Sequence, residues 1–194
     1  MVLGMKNILN LIFEFGQLKR VKRSGWWATG IKDPESVAEH TSRACFIGHL
    51  LSKLENVDSK KVVLMLISHD LPESRINDKD KIEIRYIDGK MGEKKAFEDQ
   101  VNDLPKNVQE EFLSLQREFD ECSTKEAIVA KDADYLECAV QAKEYLDIGY
   151  KKTEDWIDNV GKVLKTESAK EIFALIKNSD SMEWWKGLKK LPKS

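Results

Sequence analysis

The sequence predicts an all-α fold in a single domain. Two observations carry that expectation. Apolar residues recur at the helical period of about 3.6 in nearly every long segment, and no segment alternates strictly between apolar and polar. Residues that start and stop helices also bracket those segments. With 194 residues, one domain is the default. That length buries a core without disulfide or zinc staples.

The elements follow in order. Ile8, Leu9, Ile12 and Phe13 suggest a first helix ending near Gly16. A basic connector from Lys19 to Lys32 holds Arg23, Gly25, Trp26 and Trp27. Asp33-Pro34 reads as an N-cap followed by proline at the first helical position. The helix it opens has an inward stripe at Val37, His40, Ala44, Ile47 and Leu51. Ser59 can cap the next helix, which is apolar all round from Val62 to Ile67 and so is central and buried. It delivers His69 and Asp70 at its C-terminal end, and Pro72 turns the chain. Residues 72–92 are the least regular, with turn signals at Asn77-Asp78 and Asp88-Gly89. Helices are expected at about 92–103 and 105–120. Ser123-Thr124-Lys125-Glu126 fits a capping box for a helix presenting Ile128, Asp132, Tyr135, Ala139 and Leu146 on one face. Gly149 ends it. A last long helix is expected at about 153–177, with Trp184-Trp185 packing the tail onto the body.

Composition narrows the function classes. Hydrophobic residues make up 41% and charged residues 34%, as in an ordinary soluble protein. A net charge of −2 gives no drive toward nucleic acid or anionic membrane. The three cysteines, Cys45, Cys122 and Cys138, form no C-x-x-C and no even framework, which points to a reducing compartment. The N-terminal segment reads as an amphipathic helix rather than a signal peptide, and no stretch reaches transmembrane length. The expectation is a cytoplasmic protein. No P-loop, G-x-S-x-G or cysteine zinc pattern is present in the sequence.

The chemistry concentrates in three helices. His40 lies on an apolar stripe, where a hydrogen-bonded core histidine is the plain alternative to a ligand. His69-Asp70 closes an apolar run, where a buried pair without partners would be costly. Asp132 sits inside a helix whose same face is apolar, and needs Lys, Arg or a metal. The alternative there is a salt bridge to a distant Arg. Two imidazoles and two carboxylates, His40, His69, Asp70 and Asp132, form a mixed N/O set for one divalent ion, with positions left open for water and substrate. His49 reads as structural or exposed. The basic tail Lys186, Lys189, Lys190 and Lys193 reads as a solvated end.

The segments P-E-S-V-A-E-H (34–40), S-H-D-L-P-E (68–73) and K-D-A-D-Y-L-E (131–137), in that order, resemble the HD-domain phosphohydrolases. K-R-S-G-W (22–26) and Q-A-K-E-Y (141–145) extend the likeness toward the 5′-deoxynucleotidase branch. It spans about residues 5–150, with 151–194 as a C-terminal helix and tail on the same single domain. The resemblance implies an all-helical HD-domain bundle, one divalent metal, and release of phosphate from deoxynucleoside 5′-monophosphates. It implies metal ligands at His40, His69, Asp70 and Asp132, and catalytic acids at Glu73 and Asp78. It implies substrate contacts at Arg23, Trp26 and Glu118. By the residues alone, Glu73 equally reads as a solvated charge, Arg23 as part of a basic run, and Trp26 as packing. Asn77 stands where relatives commonly have glycine, and Asn tolerates left-handed backbone.

The ligand set suits Mn, Co, Fe, Ni, Zn or Mg. The expected partner is a small nucleotide, with no nucleic acid and no membrane, and a homodimer is expected. Two alternatives stand beside this reading. One is an HD-type hydrolase of another phosphoester, such as a cyclic nucleotide, triphosphate or alarmone. The other is a non-catalytic helical module that binds metal or nucleotide.

Overall fold

The computed structural model describes residues 2–188, so Lys189, Lys190 and Lys193 of the basic tail lie outside the described residues. Its helices are α1 (Val2–Phe15), α2 (Val37–Leu54), α3 (Ser59–Ser68), α4 (Glu73–Ile76), α5 (Gly89–Val101), α6 (Lys106–Glu121), α7 (Lys125–Asp147), α8 (Glu154–Val160) and α9 (Glu167–Ile176). The connector between α1 and α2 holds short 3-10 turns at Gly16–Lys19 and Ser24–Thr29.

The long helix α7 is the axis of the fold, with α2, α3, α6, α8 and α9 against it. Its sequence explains why. Ala127, Ala130, Ala133, Ala139 and Ala142 are fully buried, and such small side chains let neighbouring helices approach on several sides. Ala44 and Leu51 of α2, Val62, Met65 and Leu66 of α3, Phe119 of α6 and Ile176 of α9 fill one core with them. Burial of each large aliphatic side chain there contributes about 1.5–3 kcal/mol. A second cluster of Leu71, Phe97, Val101 and Leu104 receives Ile8, Leu11 and Phe15 of α1.

The local chemistry moves several helix starts from their expected places. Helix α2 begins at Val37, three residues after Pro34, because Ser36 and Glu39 form a reciprocal capping box. Asp33 instead pairs with Lys22 at 2.7 Å. Asp58, not Ser59, caps α3 by accepting from the Lys60 and Lys61 amides. Thr124, not Ser123, caps α7 by accepting from the Ala127 amide. Helix α5 starts at Gly89, where Asp88 accepts from the Met91 amide.

The expected last long helix is two helices. After α8 the chain turns at Gly161, where the Phe173 ring lies so close that a Cβ would sit 2.5 Å from it. Thr166 then caps α9. On α7, Tyr135 is 38% exposed and Ile128 only half-buried, so a single inward stripe does not describe this helix. The tail departs from expectation too: Trp184 is 65% exposed and meets the Trp185 ring edge-on. His49 is exposed.

Candidate metal centre and phosphate pocket

Three helices bring the site together. His40 comes from the second turn of α2, His69 and Asp70 from the C-terminal end of α3, and Asp134 from α7. His40 Nε2 lies 3.1 Å from Asp134 Oδ1 and 3.6 Å from Asp70 Oδ2. His69 Nε2 lies 3.1 Å from Asp70 Oδ2 and 3.8 Å from Asp134 Oδ1. Both Nε2 atoms and Asp70 Oδ2 are buried yet complete no hydrogen bond. Unpaired buried polar atoms are costly. These three atoms and Asp134 Oδ1 converge in the arrangement of metal ligands, and His40, His69 and Asp134 fall within ligating reach of one another.

The far sides of both rings explain why Nε2 is free. His69 Nδ1 donates to the Leu66 carbonyl at 2.6 Å. His40 Nδ1 meets Glu137 Oε2. Each contact takes a proton from Nδ1 in a hydrogen bond and turns Nε2 toward the centre. Burial opposes charge on both rings, but Glu137 and Asp134 raise His40 to about 9, and Asp70 and Asp134 raise His69, so a bound ion would take the place of the Nε2 proton. Two nitrogens and two carboxylate oxygens fit a divalent ion.

Asp132, expected in this set, is elsewhere. Consecutive helical residues turn by about 100°, so positions two apart face nearly opposite ways. The Asp132 carboxylate accepts from the Lys165 amide at 3.0 Å and from the Thr166 amide and hydroxyl at 2.6 and 2.7 Å. It ties the loop before α9 to α7. Asp134 occupies the place the sequence reading gave to Asp132.

Glu118 also lies away from the centre. On the last turn of α6 it pairs with Lys61 at 2.7 Å and accepts from the Thr124 hydroxyl.

Arg23, Glu73 and Asp78 do come to the site. Asn77 takes φ of 60° and ψ of 163°, not the left-handed helical geometry that Asn tolerates but an extended positive-φ conformation that favours glycine, so this turn is strained. Asp78 then accepts from the Ser24 amide at 2.6 Å, the Ser24 hydroxyl at 2.9 Å and Arg23 Nη1 at 3.3 Å. The same Nη1 is 3.8 Å from Asp70 Oδ2. Arg23, Trp26, Glu73, Asp78 and Asp134 line one cavity of about 610 Å³, continued by Trp156 of α8. Trp26 is buried, its Nε1 donating to Glu35 Oε1 at 3.1 Å. Its ring faces Trp156 at 5.5 Å and meets Tyr145 edge-on at 5.2 Å.

Charge in the cavity is uneven. Burial, then Asp70 and Asp78, hold the Glu73 carboxyl well above the usual carboxylate range. Burial would raise Asp70 too, but His69, His40 and Arg23 bring it down to about 2. Burial opposes the Arg23 cation, and Asp78, Asp70 and Glu73 more than offset that. Burial, then Glu137, push Glu35 up to about 7.

Three residues escaped the sequence reading: Asp134, Glu137 and Glu35. All three stand inside the segments that carry the family likeness. Apolar periodicity cannot pick between acids on α7, a helix buried on several sides, and Glu35 lies in the connector before α2, where there is no period to read.

Residues 15–176 match the model of the HD domain. The 5′-deoxynucleotidase HDDC2 of Dictyostelium discoideum is 37% identical over 153 residues, covering 73% of this chain and 78% of the relative. The Bos taurus protein of the same name is 30% identical over 159 residues, covering 80% and 77%. A solved structure of a conserved hypothetical protein from Pyrococcus furiosus superposes with a TM-score of 0.75 at 31% identity, covering 88% of this chain and 99% of that one.

Proposed function

The chain belongs to the HD-domain family, and from that premise we propose that it releases phosphate from deoxynucleoside 5′-monophosphates at the centre formed by His40, His69, Asp70 and Asp134. It is a metal-dependent hydrolase. The observation that carries the residue assignment is the convergence of two buried, unpaired imidazole nitrogens and two carboxylate oxygens at the end of a cavity.

A divalent ion held by His40, His69, Asp70 and Asp134 would supply Lewis acidity toward a phosphate oxygen and toward the attacking water. The chain's own groups do the rest. Arg23, the cation on the cavity wall beside Asp70, neutralises phosphate charge through its planar fork. Asp78 and Ser24 fix that arginine's place. Glu73, whose carboxyl holds its proton above the usual range, donates it to the leaving 5′ oxygen. Trp26 and Trp156 form the apolar wall against which the nucleoside lies.

The substrate class supports a small-nucleotide partner. We assign a homodimer, supported by the large apolar side chains that α1 and α2 leave exposed, among them Phe13 at 70% and Phe46 at 64%. We assign a cytoplasmic setting from the three free cysteines. Among the described residues, no helix is long and apolar enough to cross a membrane.

The test is phosphate release from a panel of 5′-dNMPs and 5′-NMPs, with Mn²⁺ or Co²⁺ added and with EDTA. The reading expects metal-dependent release, faster for deoxy substrates and abolished by the chelator. Release that persists in EDTA, or none with any metal, overturns it.

A further inference from the structure

Behind the metal centre lies a buried ionic network that the hydrolysis described above leaves unused. Glu137, on α7 one turn past Asp134, is 0% exposed. Its Oε2 contacts His40 Nδ1, and its Oε1 accepts from Arg43 Nε at 2.8 Å. Arg43 Nη1 reaches both oxygens of Glu144 at 2.8 Å, and Nη2 reaches Gln141 Oε1 at 2.5 Å. The arginine is thereby fixed along α7 by three side chains, and it fixes Glu137 in turn.

We propose that Glu137, clamped by Arg43, is a positioning residue that sets the metal affinity of the centre by fixing the tautomer, orientation and basicity of His40. This rests on the reading of the cluster as a metal centre. Three physical points support it. A carboxylate accepts only, so His40 must present Nδ1–H to it and direct its Nε2 lone pair forward. A charged acceptor on the far nitrogen makes the ligating nitrogen more basic. The cost of burying a lone carboxylate is offset by the Arg43 cation, so the arrangement is stable before any ion arrives.

The network also predicts what an isosteric change does. In Glu137→Gln the Arg43 fork, which only donates, claims the amide oxygen. The amide NH₂ is left facing His40 Nδ1 and favours the other tautomer, with the proton on Nε2 where the ion must bind. Glu137→Asp keeps the charge but is one methylene too short to reach both partners.

The experiment measures Co²⁺ and Mn²⁺ dissociation constants by competition with a chromophoric chelator. It uses wild type, Glu137→Gln, Glu137→Asp and Asp132→Asn, each with the thermal midpoint of its metal-free form. Asp132→Asn serves as the control, because it loosens the fold through α9 and not through His40. The expected result is affinity weakened about 10–100-fold in Glu137→Gln, less in Glu137→Asp, and unchanged in Asp132→Asn even where its thermal midpoint falls as far. If both Glu137 variants bind as tightly as wild type, or Asp132→Asn weakens binding equally, the proposal is overturned. If wild type itself binds neither ion, the metal-centre reading fails first. Should Glu137→Gln not fold, Glu137→Asp, which keeps the Arg43 ion pair, decides alone.

Discussion

His40 and His69 are each anchored by one ring nitrogen and open at the other. That asymmetry separates a ligand from an ordinary core histidine, and it depends on partners far away in the chain. His40 and Glu137 are 97 residues apart. The sequence shows both histidines as inward-facing but cannot show which nitrogen is free. The same limit hides which carboxylate of α7 faces the two histidines. K-D-A-D offers two carboxylates, and only the packing of α9 shows that Asp132 is already engaged. Replacing Asp132 with Asn leaves part of that cap unpaired. It should cost about 1–3 kcal/mol by chemical denaturation while leaving metal binding intact. The cysteines give a second residue-scale prediction. Burial pushes the Cys45 thiol up to about 11. A raised pKa keeps it protonated until the pH nears that value. Its alkylation in the native protein at pH 8 should therefore be far slower than after unfolding, as mass spectrometry of iodoacetamide-treated protein would show.

At the scale of elements, α7 serves two neighbourhoods at once. One side ties down α9 through Asp132, and another presents Asp134 and Glu137 to α2. The packing of α2 on α3 beside it depends on close approach at Gly48 of α2. A Cβ there would lie 2.3 Å from Leu66 Cδ1 and 3.1 Å from Val62 Cγ1. Gly48→Ala should cost about 1–3 kcal/mol and loosen the centre, since Leu66 also holds His69 by its carbonyl. Retained stability in a urea melt would contradict that. Helices with clean periodicity, such as α2 and α3, were legible in the sequence to within a few residues. Their exact capping residues were not, because competing caps differ by about 1 kcal/mol or less. The break between α8 and α9 was not legible either, since it is set by Phe173 lying over Gly161.

At the scale of the molecule, a metal held by His40, His69, Asp70 and Asp134 would link α2, α3 and α7, so its binding would also be stabilisation. Metal at a hundredfold excess over its dissociation constant adds about 2.7 kcal/mol, and the thermal midpoint should rise with Mn²⁺ and return with EDTA. The expected dimer should appear in sedimentation as twice the 22.3 kDa chain. We propose one hydrolytic metal centre at His40, His69, Asp70 and Asp134. The most direct measurement of it is metal content and phosphate release from a 5′-dNMP in wild type, Asp134→Asn and Asp132→Asn, purified side by side. Wild type and Asp132→Asn should hold the ion and turn over, and Asp134→Asn should do neither. Ion and turnover retained in Asp134→Asn, or lost in Asp132→Asn alone, would contradict it.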